Sequence, residues 1–330
     1  MSVYTGAADD VAAAARVLAQ GRLLGFPTET VYGLGADAEQ DEAVMAIYAA
    51  KGRPTDHPLI VHIAEAEDAT RFADPIPAFA RRLMAAHWPG PLTLILPRRP
   101  GIAASSAAQQ DSIGLRCPSH PVAQALLRSA KTLGVWGVSG PSANRFGRVS
   151  PTCAQHVLDE FGPSLDVLDG GACQVGIESS IVDCTRGVPV LLRPGMLDAE
   201  NLSQSAGSIV LTPAAAQSLA QATPKASGTL ASHYAPKAKL RLMSGADMTQ
   251  ALSMLPIEQK PRLAIWSPTP PVGNGMHWRA MPTDPVRCAQ QLFQVLRELE
   301  ALNVQEIWVC APPEGVRWDG VRDRLTRASH

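Results

Sequence analysis

The chain has 330 residues, 46% of them hydrophobic and 18% charged, with a formal net charge of −1. That length predicts two domains, and the composition supplies a core and excludes a disordered chain. The near-zero charge excludes a protein that coats nucleic acid by bulk electrostatics, so any such contact needs a local patch.

In chain order, the start "MSVYTGAADDVAAAARVLAQG" lacks a basic n-region and reads as a capped helix over 9–20, closed by Gly21, rather than as a signal peptide. "RLLGF" (22–26) reads as a strand. "DEAVMAIYAAKG" (41–52) reads as a helix with Asp41 at its N-cap and Gly52 just past its end. "LIVHI" (59–63) is apolar on both faces and predicts a central strand. Helices are expected over 76–87, 121–131 and 152–160, and strands at "PLTLIL", "SIGLR" and "VWGVS" (91–96, 112–116 and 135–139). "SSIVDCT" and "VPVLLR" predict a hairpin around Arg186 and Gly187. Irregular alternation of strands and helices predicts a mixed-sheet α/β domain over 1–212. Residues 213–237 are rich in Pro, Ala and Ser and read as a linker. A small α/β domain follows over 238–330, with strands at "KLRLM", "RLAIW" and "EIWVC" and helices over 284–302 and 315–328. No apolar run approaches membrane-spanning length. Cys117, Cys153, Cys173, Cys184, Cys288 and Cys310 show no C-x-x-C and no zinc spacing, which predicts reduced thiols and a cytoplasmic setting.

Several clusters carry chemistry. "GLGADA" (33–38) matches G-x-G-x-x-A, with Asp56 downstream, but "PTETVY" separates it from the preceding strand. It reads as a glycine turn, with a nicotinamide enzyme as a distant rival. Thr28, Glu29, Thr30 and Tyr32 crowd a loop after a strand, where α/β sheets bind ligands, although alone they read as an ordinary polar turn. Lys51 suits a helix C-terminus. Arg53 lies beyond it, stiffened by Pro54, as a pre-positioned anion ligand. His62 shares a strand face with Ile60 and reads either as a core histidine or as a donor at a cleft rim. In "SGPSANRFGRVSPT" (139–152), Ser139, Ser142, Asn144 and Ser150 offer neutral donors, and Arg145 and Arg148 add charge. Ser150-Pro151 also reads as a helix N-cap. Arg53, Arg116 and Arg193 each end or flank an ordered element beside proline, a set suited to an anion-binding cleft. No motif supplies a covalent nucleophile, and Cys117 reads as structural.

"PTETVYGLG", "KGRP", "HPLIVHI", "WPGPLTLIL", "PSANRFGRVSPT", "GIESSIVD" and "LLRPG" stand in the order and spacing of the YrdC-like family. "HYAP" (233–236) and "WDGVRDRLTRA" (318–328) resemble its two-domain members, so nearly the whole chain resembles an L-threonylcarbamoyladenylate synthase. The resemblance implies a mixed twisted sheet with helices around a large cleft, followed by a small Rossmann-like α/β domain. It implies that L-threonine, bicarbonate and ATP, with Mg²⁺, give threonylcarbamoyl-AMP and pyrophosphate. Downstream machinery then transfers the threonylcarbamoyl group to tRNA beside the anticodon. By motif, Thr30, His62, Arg116, Gly140 and Ser180 bind threonine. Lys51, Arg53, His57, Ser112, Ser142, Asn144, Ser150, Arg193 and Tyr234 bind ATP, with Tyr234 in a linker that closes as a lid. His57 stands where the family pattern has Asn, and Ser227 where many relatives have Pro. The rival is a non-catalytic module that binds nucleotide or RNA, since single-domain relatives suggest weak RNA affinity. No membrane contact is expected.

Overall fold

The computed structural model describes residues 2–219, 221–230, 232–273 and 275–330. Ala220 and Ala231 of the expected linker, and Asn274 of the expected last domain, lie outside the described residues. The chain forms two compact units: Met1–Phe146 with Ser150–Thr229, and Gly147–Val149 with Leu230–His330. The expected linker divides between them at residues 229 and 230.

In the first unit, β1 (Val3–Tyr4), α1 (Ala8–Ala19), β2 (Leu24–Phe26), β3 (Gly33–Asp37), α2 (Asp41–Lys51) and β4 (Ile60–His62) come first. They are followed by α3 (Ala69–Phe72), α4 (Ala78–His87), β5 (Leu92–Pro97), β6 (Ser112–Arg116), α5 (Pro121–Thr132) and β7 (Val138–Ser139). Last come α6 (Ala154–Phe161), β8 (Asp166–Leu168), β9 (Ser180–Asp183), β10 (Val190–Arg193) and α7 (Ala199–Ala206). Local chemistry explains several boundaries. Asp9 and Asp10 favour the positive end of α1, and Gly52 ends α2 in the left-handed conformation at φ 63°. Pro121 opens α5 while His120 accepts from the Val122 N–H. The cap of α2 is Gln40 rather than Asp41.

The strands form one mixed sheet in the order β1-β8-β2-β3-β7-β4-β6-β5-β9-β10. β4 is central, as its two-faced apolar pattern predicts, parallel to β6 and antiparallel to β7. The expected hairpin is β9 against β10. Helices α1 and α5 pack Val11, Leu18, Leu126 and Leu127 against Leu24, Phe26, Val138 and Leu168. Another cluster joins Leu83 of α4 and Leu202 of α7 to Val61, Leu94 and Leu115.

"GLGADA" does not form the expected glycine turn. Gly33–Asp37 is strand β3, antiparallel to β2 and β7. Its glycines make room for a ring: a Cβ on Gly33 would lie 2.6 Å from Phe26 Cε1. A strand in mid-sheet cannot serve as the strand-to-helix phosphate turn of a dinucleotide fold, which removes the nicotinamide rival.

The second unit holds β11 (Lys239–Met243), α8 (Gly245–Met254), β12 (Leu263–Ser267), β13 (His277–Ala280), α9 (Pro285–Ala301), β14 (Glu306–Cys310) and α10 (Asp319–Ala328). Its four strands are all parallel, in the order β11-β14-β12-β13. β13 adds a strand that the sequence pattern does not announce, because all four of its residues are exposed. No helix among the described residues is long and apolar enough to cross a membrane.

Candidate functional site

The sheet brings the expected threonine residues together. Register places His62 on β4 opposite Arg116 on β6 and Val138 on β7. Arg116 is buried and donates from Nη1 to Thr30 Oγ1 at 2.8 Å. Thr30 Oγ1 in turn lies 2.9 Å from Thr28 Oγ1, which donates to the Val31 carbonyl at 2.6 Å. Gly140 follows β7, and a Cβ there would lie 2.9 Å from His62 Nδ1. Ser180 opens β9 beside β5, donating from Oγ to the Leu197 carbonyl at 2.9 Å. The turn before β5 links it to Arg116: the Ser180 N–H donates to Pro91 O at 3.0 Å, and Arg116 Nε donates to Gly90 O at 3.4 Å.

His62 explains how an imidazole sits in a buried strand. Burial first, then the Arg116 charge, push its pKa down from 6.5 to about 3, so the ring is neutral at ordinary pH. The ring packs edge-on to Phe26 at 5.5 Å, and its Nδ1 meets no hydrogen-bonding group among the described residues.

The expected phosphate cations are also buried. Lys51, at the end of α2, donates from Nζ to the Ser142 carbonyl at 2.6 Å and to the Asn144 carbonyl. Burial, reinforced by the Arg53 charge, draws its pKa well below the usual lysine value. Arg53 donates to the carbonyls of His57 and Pro58 at 3.1 and 2.9 Å. Arg193 donates to the Ser179 carbonyl from Nε and Nη2 at 3.1 and 2.9 Å, and from Nη1 to the Ser227 carbonyl at 2.9 Å. Ser112 lines a cavity of about 20 Å³ with Pro58, Ile60, Gln110 and Lys225–Ser227. His57 packs edge-on to Phe146 at 5.7 Å, its pKa lowered by burial and then by Arg53. Asn144 donates from Nδ2 to the Arg145 carbonyl at 2.7 Å.

One expectation changes. Ser150 does not cap a helix: α6 begins after Cys153, and Ser150 Oγ donates to Glu178 Oε1 at 2.5 Å. Tyr234 groups with the second unit, buried 5.3 Å from the Phe293 ring and 5.5 Å from the Arg324 guanidinium. Cys117 is buried with its pKa pushed up to about 11, chiefly by that burial, so it holds no thiolate, in keeping with a structural thiol. All six cysteines are free.

Sequence reasoning counted Glu29 only among the polar residues of its loop and passed over Glu178. Glu29 Oε1 lies 2.7 Å from Arg116 Nη2, with both side chains buried. Their separation of 87 positions hides that pairing from any local pattern. Glu178 carries a local signal only in hindsight, as the one acid of "GIESS" in a cationic site.

Residues 16–195 match the Sua5/YciO/YrdC family profile, described as "Telomere recombination". Residues 197–330 match "Threonylcarbamoyl-AMP synthase, C-terminal domain". A threonylcarbamoyl-AMP synthase of Pyrococcus abyssi is 41% identical over 233 residues, covering 70% of this chain and 67% of that protein. The corresponding Bacillus subtilis protein is 40% identical over 238 residues, covering 72% and 67%. Among solved structures, P. abyssi Sua5 complexed with L-threonine aligns with a TM-score of 0.89 at 32% identity, covering 100% of this chain and 98% of that one.

Proposed function

This chain belongs to the Sua5/YciO/YrdC family as a two-domain homologue of the threonylcarbamoyl-AMP synthases, and we propose from that premise that it joins L-threonine, bicarbonate and ATP into threonylcarbamoyl-AMP. The observation that carries the reading is the adjacency of two kinds of site within the first unit. Gly140 of the amino-acid group and Ser142 of the cationic group are two residues apart. Ser179, which receives Arg193, precedes Ser180.

In this reading Arg116 binds the threonine carboxylate through its planar fork. Thr30 and neutral His62 offer polar atoms that add no net charge. The threonine amine attacks bicarbonate, giving a carbamate and water. A carbamate oxygen then attacks the α-phosphate, and pyrophosphate leaves. No enzyme nucleophile is required. Charge developing on the phosphates is stabilised by Lys51, Arg53 and Arg193, whose burial strengthens every such interaction. Their bonds within the first unit to the carbonyls of Ser142, Pro58, Ser179 and Ser227 can be exchanged for phosphate oxygens.

Mg²⁺ fits this donor set. Among the described residues no cluster of three or more His, Cys, Asp or Glu could hold a metal, but a nucleotide-borne Mg²⁺ needs only one or two protein oxygens. Glu178 and Ser150, bonded to each other, would supply a carboxylate and a hydroxyl. When bound, the ion neutralises charge on the departing pyrophosphate. The labile product would pass to machinery that modifies tRNA beside the anticodon.

The test is pyrophosphate release by the full chain with ATP, Mg²⁺ and bicarbonate, with and without L-threonine, and with L-serine as control. Threonine-dependent release with a threonylcarbamoyl-AMP peak is the expected result. A folded protein that binds ATP without any threonine dependence overturns the synthase reading in favour of a binding module.

A further inference from the structure

Glu29 takes no part in the chemistry above, yet it lies against Arg116, the cation assigned to the threonine carboxylate. It precedes Thr30, is 2% exposed, and holds Oε1 at 2.7 Å from Arg116 Nη2. Neither of its carboxylate oxygens makes an aligned hydrogen bond to any described residue, so the contact acts as charge on charge. A pair buried this deeply is a poor device for stability, because desolvation consumes much of the attraction. Arg116 has other anchors for its orientation, Thr30 Oγ1 at 2.8 Å and Gly90 O at 3.4 Å. The acid therefore adds something that orientation alone does not require: a negative charge behind the only cation of this pocket among its assigned residues.

The sum of charges suggests what that is for. Arg116 contributes +1, Glu29 −1, and buried His62 is neutral. Thr30, Gly140 and Ser180 carry no charge, so the pocket is electroneutral. A free amino acid is a zwitterion and is also neutral overall. We propose that Glu29 is a specificity-determining residue, whose sealed carboxylate balances Arg116 so that the pocket prefers a zwitterionic amino acid to an amine-less hydroxy acid of the same shape. The inference rests on the threonine-site reading above. It needs no contact between Glu29 and ligand, since a charge in a low-dielectric pocket acts over several ångströms. Arg116 without Glu29 would attract any small carboxylate and repel an ammonium group.

Calorimetric titration of the full chain with L-threonine and with 3-hydroxybutanoate tests this in wild type, Glu29→Gln and Glu29→Asp, with melting temperatures recorded alongside. Wild type should prefer threonine. Glu29→Gln keeps the shape and removes the charge, so the preference should fall by about tenfold or more, with 3-hydroxybutanoate binding held or tightened. Glu29→Asp keeps the charge and should retain the preference within about twofold, whatever happens to absolute affinity. A Gln variant that weakens both ligands equally makes Glu29 only a support for Arg116 and overturns the proposal. An unchanged preference in the Gln variant, or a lost one in the Asp variant, does the same. If the Gln variant fails to fold, the Asp variant decides alone. Folded wild type that binds no threonine overturns the threonine site itself, whereas threonine binding with the preference independent of charge at position 29 overturns only the role of Glu29.

Discussion

Arg193 donates from Nη1 to the backbone carbonyl of Ser227 at 2.9 Å, while Arg53 Nη2 approaches the hydroxyl of the same residue at 3.5 Å. One residue of the chain thus lies between two of the three cations assigned to phosphate. In the proposed reading, nucleotide replaces these neutral oxygens with charged ones, which guanidinium groups bind more strongly.

Arg53→Ala should therefore impair ATP use far more than threonine binding. Losing charge-assisted bonds to phosphate is worth about 1.5–3 kcal/mol, or roughly 10- to 100-fold in KM for ATP. Threonine affinity, read by calorimetry without nucleotide, should stay within about threefold, because Arg53 bonds to His57, Pro58 and Ser227 and not to the Thr30–Arg116 group. Equal losses for both substrates would remove Arg53 from the phosphate site.

The elements that were legible in the sequence are those whose pattern is local and long. Helix α2 shows an acidic start and Gly52 at its end, and β4 lies within the five apolar-biased positions of "LIVHI". The two-residue strand β1 is too short to display a period, and β7 keeps only Val138–Ser139 of the strand expected over 135–139. β3 was hidden because its glycines suit a turn equally well, and the Phe26 ring and, at Gly35, the Val138 side chain, both outside the motif, explain them. The site divides in the same way. Lys51, Arg53, His62, Arg116 and Arg193 lie in motifs that read along the chain. The Arg116–Glu29 pairing and the Ser150–Glu178 bond depend on strand order, which no stretch of sequence states.

His62 gives the protein an acid sensitivity with a definite sign. Unfolded, the imidazole takes up a proton below about 6.5, whereas folded it resists until about 3. Between those values the unfolded chain binds more protons, so stability is complete above about pH 6.5 and is lost as pH falls toward 3. At pH 5 the loss should be about 2 kcal/mol. Urea unfolding at pH 7, 6 and 5 measures it, and His62→Gln should remove that part of the slope. Parallel pH profiles for wild type and variant would show that His62 titrates normally in the folded protein.

Gly140 adjoins the same imidazole. A methyl group there would lie 2.7 Å from Phe26 Cζ and 2.9 Å from His62 Nδ1, closer than atoms tolerate. Gly140→Ala must displace one ring or both, at a cost of about 1–3 kcal/mol in stability. Threonine KM should rise about tenfold or more, with KM for ATP little changed, since Lys51, Arg53 and Arg193 are oriented by the carbonyls of Ser142, Pro58 and Ser179. A variant with normal threonine kinetics would place the amino acid elsewhere.

Among the described residues of 213–229, Ala216 and Ala226 are buried in the core of the first unit, which a comparison of two fragments makes measurable. Ala216 and Ala226 pack on Ile95, Ile181, Val190 and Leu192, the outer face of β5, β9 and β10. Arg186 donates to Thr223 Oγ1 at 3.1 Å, and the Lys225 N–H donates to Gln110 Oε1 at 2.9 Å. A chain ending at 212 uncovers that apolar face and removes Ser227 from Arg53 and Arg193, whereas one ending at 229 keeps both. Each fragment loses the second unit and with it the partners of residues 147–149, so that loss cancels in the comparison. The 1–229 fragment should melt about 5 °C or more above 1–212, by the usual shift per kcal/mol for a domain of this size. The shorter fragment should also bind a hydrophobic dye in its folded state, because uncovered Ile and Val side chains form a contiguous patch. Equal melting temperatures with no dye binding would mean that residues 213–229 rest on the first unit without stabilising it.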